Sequence, residues 1–66
     1  MTTLYEVDDS RNAQIEAQRI GESVTARIAG TIYDVDQRGA VRRISDSERA
    51  RIESGIALKA IQVVRL

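Results

Sequence analysis

Ile20-Gly21-Glu22-Ser23-Val24-Thr25-Ala26-Arg27-Ile28-Ala29-Gly30 is the stretch on which the fold of this 66-residue chain turns. Upstream of it, Ala13, Ala17 and Ile20 recur at helical spacing, and Val24 and Ile28 prolong the same stripe. Read this way, one helix runs up to Gly30, which stands where a left-handed C-terminal cap belongs. Gly21 opposes that reading, because glycine inside a helix costs about 1 kcal/mol relative to alanine. Val24, Ala26 and Ile28 also alternate as a strand would, with Gly21 ending a shorter helix. The long helix is the preferred expectation; the alternative adds a strand over residues 23–29.

The flanking segments are easier to place. Thr3 to Asp8 reads as a short strand with Tyr5 and Val7 on one face and Leu4, Glu6 and Asp8 on the other. Asp9 or Ser10 is positioned to cap the helix that follows. Thr31 to Asp36 and Ala40 to Ile44 are extended runs around Asp36-Gln37-Arg38-Gly39, a pattern that fits a type I turn followed by a left-handed residue. Ser45-Asp46-Ser47-Glu48 is a capping box, in which the Ser45 hydroxyl accepts from the Glu48 amide and the Glu48 carboxylate reaches back. The helix it opens turns Ile52 and Ile56 inward, pairs Arg49 with Glu53 and ends at Gly55. Leu58 to Leu66 closes the chain as a strand.

The order strand, helix, strand, strand, helix, strand predicts a single α+β domain over residues 1–66. Its expected form is a small antiparallel sheet of four strands, or five on the alternative reading. Both helices are expected on one face, in the split βαβ, ferredoxin-like βαββαβ order. The last strand carries apolar residues on both faces: Ile61 and Val63 on one, Leu58, Ala60, Val64 and Leu66 on the other. With the helices on a single side, the second cover must come from outside the chain. A homodimer using Leu58, Ala60, Val64 and Leu66 is the expected consequence. Sixty-six residues also bury a marginal core, which favours association.

Composition narrows the chemistry. The chain has no Cys, His, Phe or Trp, so disulfides, thiolate or imidazole metal sites and the commonest general base are missing. The serines have no histidine partner, and the four glycines are too dispersed to cradle a phosphate. Asp34-x-Asp36-x-Arg38-Gly39 begins like a calcium loop but has Arg38 and Ser45 where oxygen ligands and a bidentate Glu are needed. An enzyme is not expected, nor a cofactor or metal. No apolar run approaches the ~20 residues of a membrane span, and the first nine residues are acidic, so a cytoplasmic location is the default expectation.

Charge is unevenly distributed along the sequence. Residues 1–36 hold seven acidic and three basic side chains, whereas residues 37–66 hold seven basic and three acidic ones, within a formal net charge of zero. Asp8, Asp9, Asp34 and Asp36 form one candidate partner-binding group, and Arg38, Arg42, Arg43 and Arg49 the other. Nine Arg against one Lys suits bidentate contact with carboxylate or phosphate. Arg42 and Arg43, however, must point to opposite faces of a regular strand. Tyr5 and Tyr33 share strand faces with Val7 and Val35, which assigns both to the core rather than to base stacking.

Val35-Asp36-Gln37-Arg38-Gly39-Ala40-Val41, followed by an Arg-rich helix and Gly55-Ile56, resembles the hairpin and helix of AbrB-type swapped-hairpin DNA-binding domains. The resemblance covers roughly residues 30–58 and implies a dimer whose hairpin arginines approach DNA. Arg42-Arg43 stands where that family has apolar residues and a proline, and only one strand follows the helix. The leading functional expectation is a small non-enzymatic regulator or inhibitor that binds a protein by surface contact. Phage- or plasmid-borne anti-defence inhibitors of the anti-CRISPR kind belong to that class. The second is a dimeric DNA-binding transcriptional regulator using Arg38, Arg42, Arg43 and Arg49. An isoelectric point near 6.2 weighs against a nucleic-acid binder.

Overall fold

The computed structural model describes residues 2–57 and 61–66. In chain order the elements are β1 (Thr2–Val7), α1 (Ser10–Ile20), β2 (Val24–Ile28), β3 (Thr31–Val35), β4 (Val41–Arg43), α2 (Asp46–Ala57) and β5 (Ile61–Arg65). The stretch from Ile20 to Gly30 is divided between two elements. Gly21 takes φ 83°, and its amide donates to the Ala17 carbonyl at 2.9 Å, which closes α1. Val24–Ile28 is therefore β2 and not the end of a long helix, so the long-helix expectation is corrected and its alternative holds. The reason is local: glycine loses nothing in a left-handed cap, and β-branched Val24, Thr25 and Ile28 suit a strand.

The sheet has the order β4-β3-β2-β1-β5. β1 is parallel to both β2 and β5, while β2–β3 and β3–β4 are antiparallel. The α+β class stands, with a five-stranded mixed sheet in place of the antiparallel one expected. The extra strand also moves a helix. β1–α1–β2 steps across the sheet toward β4, and β4–α2–β5 steps back from that edge to the other. Parallel strands are joined by right-handed crossovers, so two steps in opposite directions place α1 and α2 on opposite faces. This corrects the expectation that both helices share one face.

Packing follows the pleat. Ala13 and Ala17 of α1 sit against Tyr5, Val7, Val24, Ala26 and Val35, with Ile28, Tyr33 and Val64 at the margin. Ile52 of α2 meets Leu4 and Ile32 on the other face, flanked by Ile44. Leu4 and Tyr5 are adjacent in β1 and serve different cores, as strand alternation requires. The alanines let α1 lie close to the sheet: Ala13, Ala17 and Ala26 are fully buried. Both tyrosines belong to this core, as their parity indicated. The side chain of Ile56, and the segment containing Leu58 and Ala60, lie outside what is described.

Two turns and two caps fix the elements. Asp9 caps α1, its carboxylate accepting from the Asn12 amide at 3.0 Å. At the β3–β4 turn the Gly39 amide donates to the Asp36 carbonyl, and Asp36 Oδ1 accepts from the amides of Arg38 and Ala40 at 2.9 Å. Gly39 has φ +88°, and a Cβ there would come within about 3.0 Å of the Gln14 amide, so no other residue fits easily. Gln14 and Gln18 both donate to the Gln37 carbonyl and tie α1 to the hairpin tip. Ser45 Oγ accepts from the Glu48 amide at 3.2 Å as the capping box requires. Glu48 does not complete the box: its carboxylate pairs with Arg51. α2 continues past Gly55, and Arg49 pairs back to Asp46 rather than forward to Glu53.

The β2–β3 connection holds the one non-glycine residue with positive φ among those described. Ile28 and Thr31 are paired, so Ala29 (φ 50°) and Gly30 (φ 83°) form a two-residue turn with both φ values positive. That is the type I′ requirement, which Asn-Gly and Gly-Gly meet more easily than Ala-Gly. An alanine held there costs about 1–2 kcal/mol. Ala29→Asn or Ala29→Gly should raise stability by about 0.5–1 kcal/mol, part of the relief being offset in the unfolded chain. A urea midpoint lower than wild type would contradict the strain.

Candidate functional site

The face of the sheet that carries α2 is chemically unlike the other. Across the strands, Arg65 of β5 pairs with Glu6 of β1, which pairs with Arg27 of β2. The side chains follow the backbone register. Glu6 Oε2 lies 2.5 Å from Arg65 Nη1, and Oε1 is bonded to Arg27 Nη2. One carboxylate thus bridges two cations on the neighbouring strands, a charge-assisted arrangement stronger than neutral hydrogen bonds. Arg27 is about one-third exposed, Glu6 less so, and Arg65 is 82% exposed. A second charged pair lies on the same face, where Arg42 of β4 meets Asp34 of β3 at 2.9 Å.

Among the clefts that open beside these pairs, two bear on the site. The first, about 340 Å³, lies at the carboxyl ends of the parallel strands β1, β2 and β5. Glu6, Asp8, Arg27, Arg65 and Leu66 line it, and the Ala29–Gly30 turn closes one side. The crossover through α1 leaves the sheet here, at the carboxyl end of β1, and the carboxyl ends of parallel strands are where open sheets usually take ligands. The second, about 370 Å³, lies between the β3–β4 hairpin and α2, with Asp34, Arg42, Arg43, Ser45, Glu48 and Ile52 on its walls. Both are open and lined with charges of both signs.

The acidic group expected from the sequence does not assemble in one place. Asp8 and Asp9 follow Val7, at the end of the sheet where Ile28 pairs with Thr31. Asp34 and Asp36 lie at the opposite end, where Val24 pairs with Val35. Asp9 and Asp36 are also engaged as cap and turn acceptors. The basic group is split as well: Arg42 is opposite Asp34 and Arg43 opposite Tyr33, on different faces. Arg38 lies 3.9 Å from Asp36, and Arg49 lies 3.6 Å from Asp46. Of the expected subunit contacts that are described, Val64 packs on the α1-side core and Leu66 is half exposed. With a helix on each face, the apolar pattern of β5 no longer requires a second subunit as cover.

Sequence reasoning did not single out Arg27 and Arg65. Their parity on the strands was readable, but their convergence on Glu6 depends on the β2-β1-β5 strand order. Under α1 there is one further charged pair. Glu16 is buried and bonded to Arg19, which holds its carboxyl below the ordinary value near 4.5. Burial opposes this shift, while the Tyr5 hydroxyl reinforces it. No protein-family model, no curated protein and no solved structure matches the chain.

Two expectations follow. Arg27→Ala removes the more enclosed cation and should cost about 1–2 kcal/mol, whereas Arg65→Ala should cost under about 1 kcal/mol and more at low salt than at high. Equal losses in denaturant titrations would mean that Glu6 does not discriminate between its neighbours. For Glu16 the folded pKa lies below the unfolded one, so its stabilisation is present above the ordinary carboxyl range and is lost as pH falls through the folded value. Below about pH 4.5, Glu16→Gln should therefore show a shallower fall in stability than wild type. Parallel curves from pH 7 to pH 3 would remove Glu16 from the acid response.

Proposed function

We propose that this chain is a small non-enzymatic regulator or inhibitor that works by surface contact with a protein partner in the cytoplasm. Anti-defence inhibitors of the anti-CRISPR kind exemplify that class. The reading is supported above all by how the arginines are engaged. Arg38, Arg42, Arg49 and Arg51 each lie within 4 Å of a carboxylate, on Asp36, Asp34, Asp46 and Glu48 respectively. The result is a mosaic of alternating sign and not a positive field. Exposed pairs of this kind are worth about 0–1 kcal/mol each, so they exchange readily for the charges of a complementary protein surface. A phosphate backbone meets carboxylates in the same places, which disfavours the DNA-binding alternative.

The face carrying Asp34, Arg42 and the cleft beside α2 is the contact surface in this proposal. Exchanging its pair, Asp34→Arg with Arg42→Asp, preserves the internal attraction while inverting the pattern seen by a partner. The exchanged protein should fold with stability within about 1 kcal/mol of wild type. It should also lose at least tenfold in affinity for any partner captured by the wild-type chain. An unchanged partner affinity would exclude this face. Duplex DNA titrated at low salt should show no binding; binding that weakens steeply with added salt would establish the DNA-binding reading instead.

A further inference from the structure

We propose that the outer edge of β5 pairs with the same edge of a second copy, antiparallel about a two-fold axis at Val63, to make a continuous ten-stranded sheet. This rests on the strand edge alone and stands apart from the charged face above. The Leu66 amide donates to the Glu6 carbonyl at 3.0 Å, so Leu66, Val64 and Gln62 turn their backbone groups toward β1. Strand alternation then turns the N–H and C=O of Ile61, Val63 and Arg65 outward. Among the described residues no strand lies beyond β5, which leaves those groups as a template for pairing.

The two edges of the sheet are not equivalent. β4 at the other edge is three residues long and places Arg42 and Arg43 in solvent, which are the usual devices against edge-to-edge association. β5 is five residues long and has neither proline nor any charge before Arg65. Val63 and Leu66 are among the exposed large apolar side chains. The outward set is also symmetric about Val63. In an antiparallel pairing centred there, Val63 faces its own copy and Ile61 faces Arg65 of the second copy. Every outward donor then meets an outward acceptor, with no residue left over.

Charge selects this orientation over a parallel one. In the two-fold arrangement the two Arg65 residues lie four positions apart along the strand direction, about 13 Å, which is beyond the screening length in physiological salt. Each remains paired with its own Glu6. A parallel pairing in register would bring the two arginines side by side, where like charges destabilise a strand pair. A second copy therefore satisfies the edge in hydrogen bonds, apolar contact and charge together.

The chain contains no cysteine, so a single introduced thiol reports the register directly. Paired Val63 Cα atoms in this arrangement would be about 5.5 Å apart, inside the range a disulfide spans. Under mild oxidation Val63→Cys should link into a dimer at least tenfold faster than Arg65→Cys. Light scattering on the wild-type chain should show a mass rising with concentration from 7.3 kDa toward twice that value. Val63→Lys, which keeps the inner bonds to β1, should hold the monomer mass with an unchanged circular dichroism spectrum. A wild-type monomer at all concentrations up to about 1 mM overturns the proposal, whatever the lysine variant does. Equal linking rates, or faster linking through Arg65→Cys, overturn the two-fold at Val63.

Discussion

The left-handed conformation of Gly21 is the constraint on which the rest of the molecule depends. By donating to Ala17 it stops α1 after Ile20 and releases Val24–Ile28 to form β2. Once β2 lies beside β1, the hairpin that follows is carried outward to one edge of the sheet. The chain must then cross the whole sheet to reach β5, and the handedness of that crossing puts α2 on the face that α1 does not cover. The mixed sheet, the two separate cores and the charged face follow from one glycine conformation. A helix running to Gly30 would have produced a different molecule from nearly the same residues.

Each face of the sheet is stabilised in its own way. Under α1 the packing is apolar and close, built from alanines, valines and two tyrosines, and the only buried charge among the described residues, Glu16, is held by Arg19. Under α2, among the described residues, Leu4, Ile32 and Ile52 form the buried cluster, and charged pairs lie toward the sheet ends. This division of labour explains why the arginines fail to form a basic surface. Most of them are spent within the molecule on carboxylates that strand pairing or helical spacing has already brought near.

Local features were legible in the sequence because local chemistry determines them. The Asp36–Gly39 turn, the Asp9 cap and the Ser45 cap each need only a few consecutive residues, and they stand as expected. The inward parity of Tyr5 and Tyr33 was legible for the same reason. The extent of the first helix was not, because Val24 and Ile28 satisfy both the helical and the strand periods. The position of α2 and the Glu6 bridge were out of reach for a different reason. They depend on strand order, which is fixed by crossovers spanning most of the chain. The linear separation of charge was misleading for that reason too: β1 is flanked by β2 and β5, so acidic and basic segments became neighbours.

The pairing of β1 with β5 joins the two ends of the described chain, Thr2 opposite Ile61 and Glu6 opposite Arg65. During synthesis β1 leaves the ribosome well before β5. Until Arg65 has emerged, β1 can be flanked only by β2, and Glu6 can hold only Arg27. The contact between α1 and β1–β2 is available early and locally, while closure of the sheet waits on a loop of nearly the whole chain. The nascent polypeptide therefore presents an open edge at β1, where the finished protein presents one at β5. Protection of that edge until β5 emerges becomes a demand on the cell's chaperones that the folded sheet no longer makes.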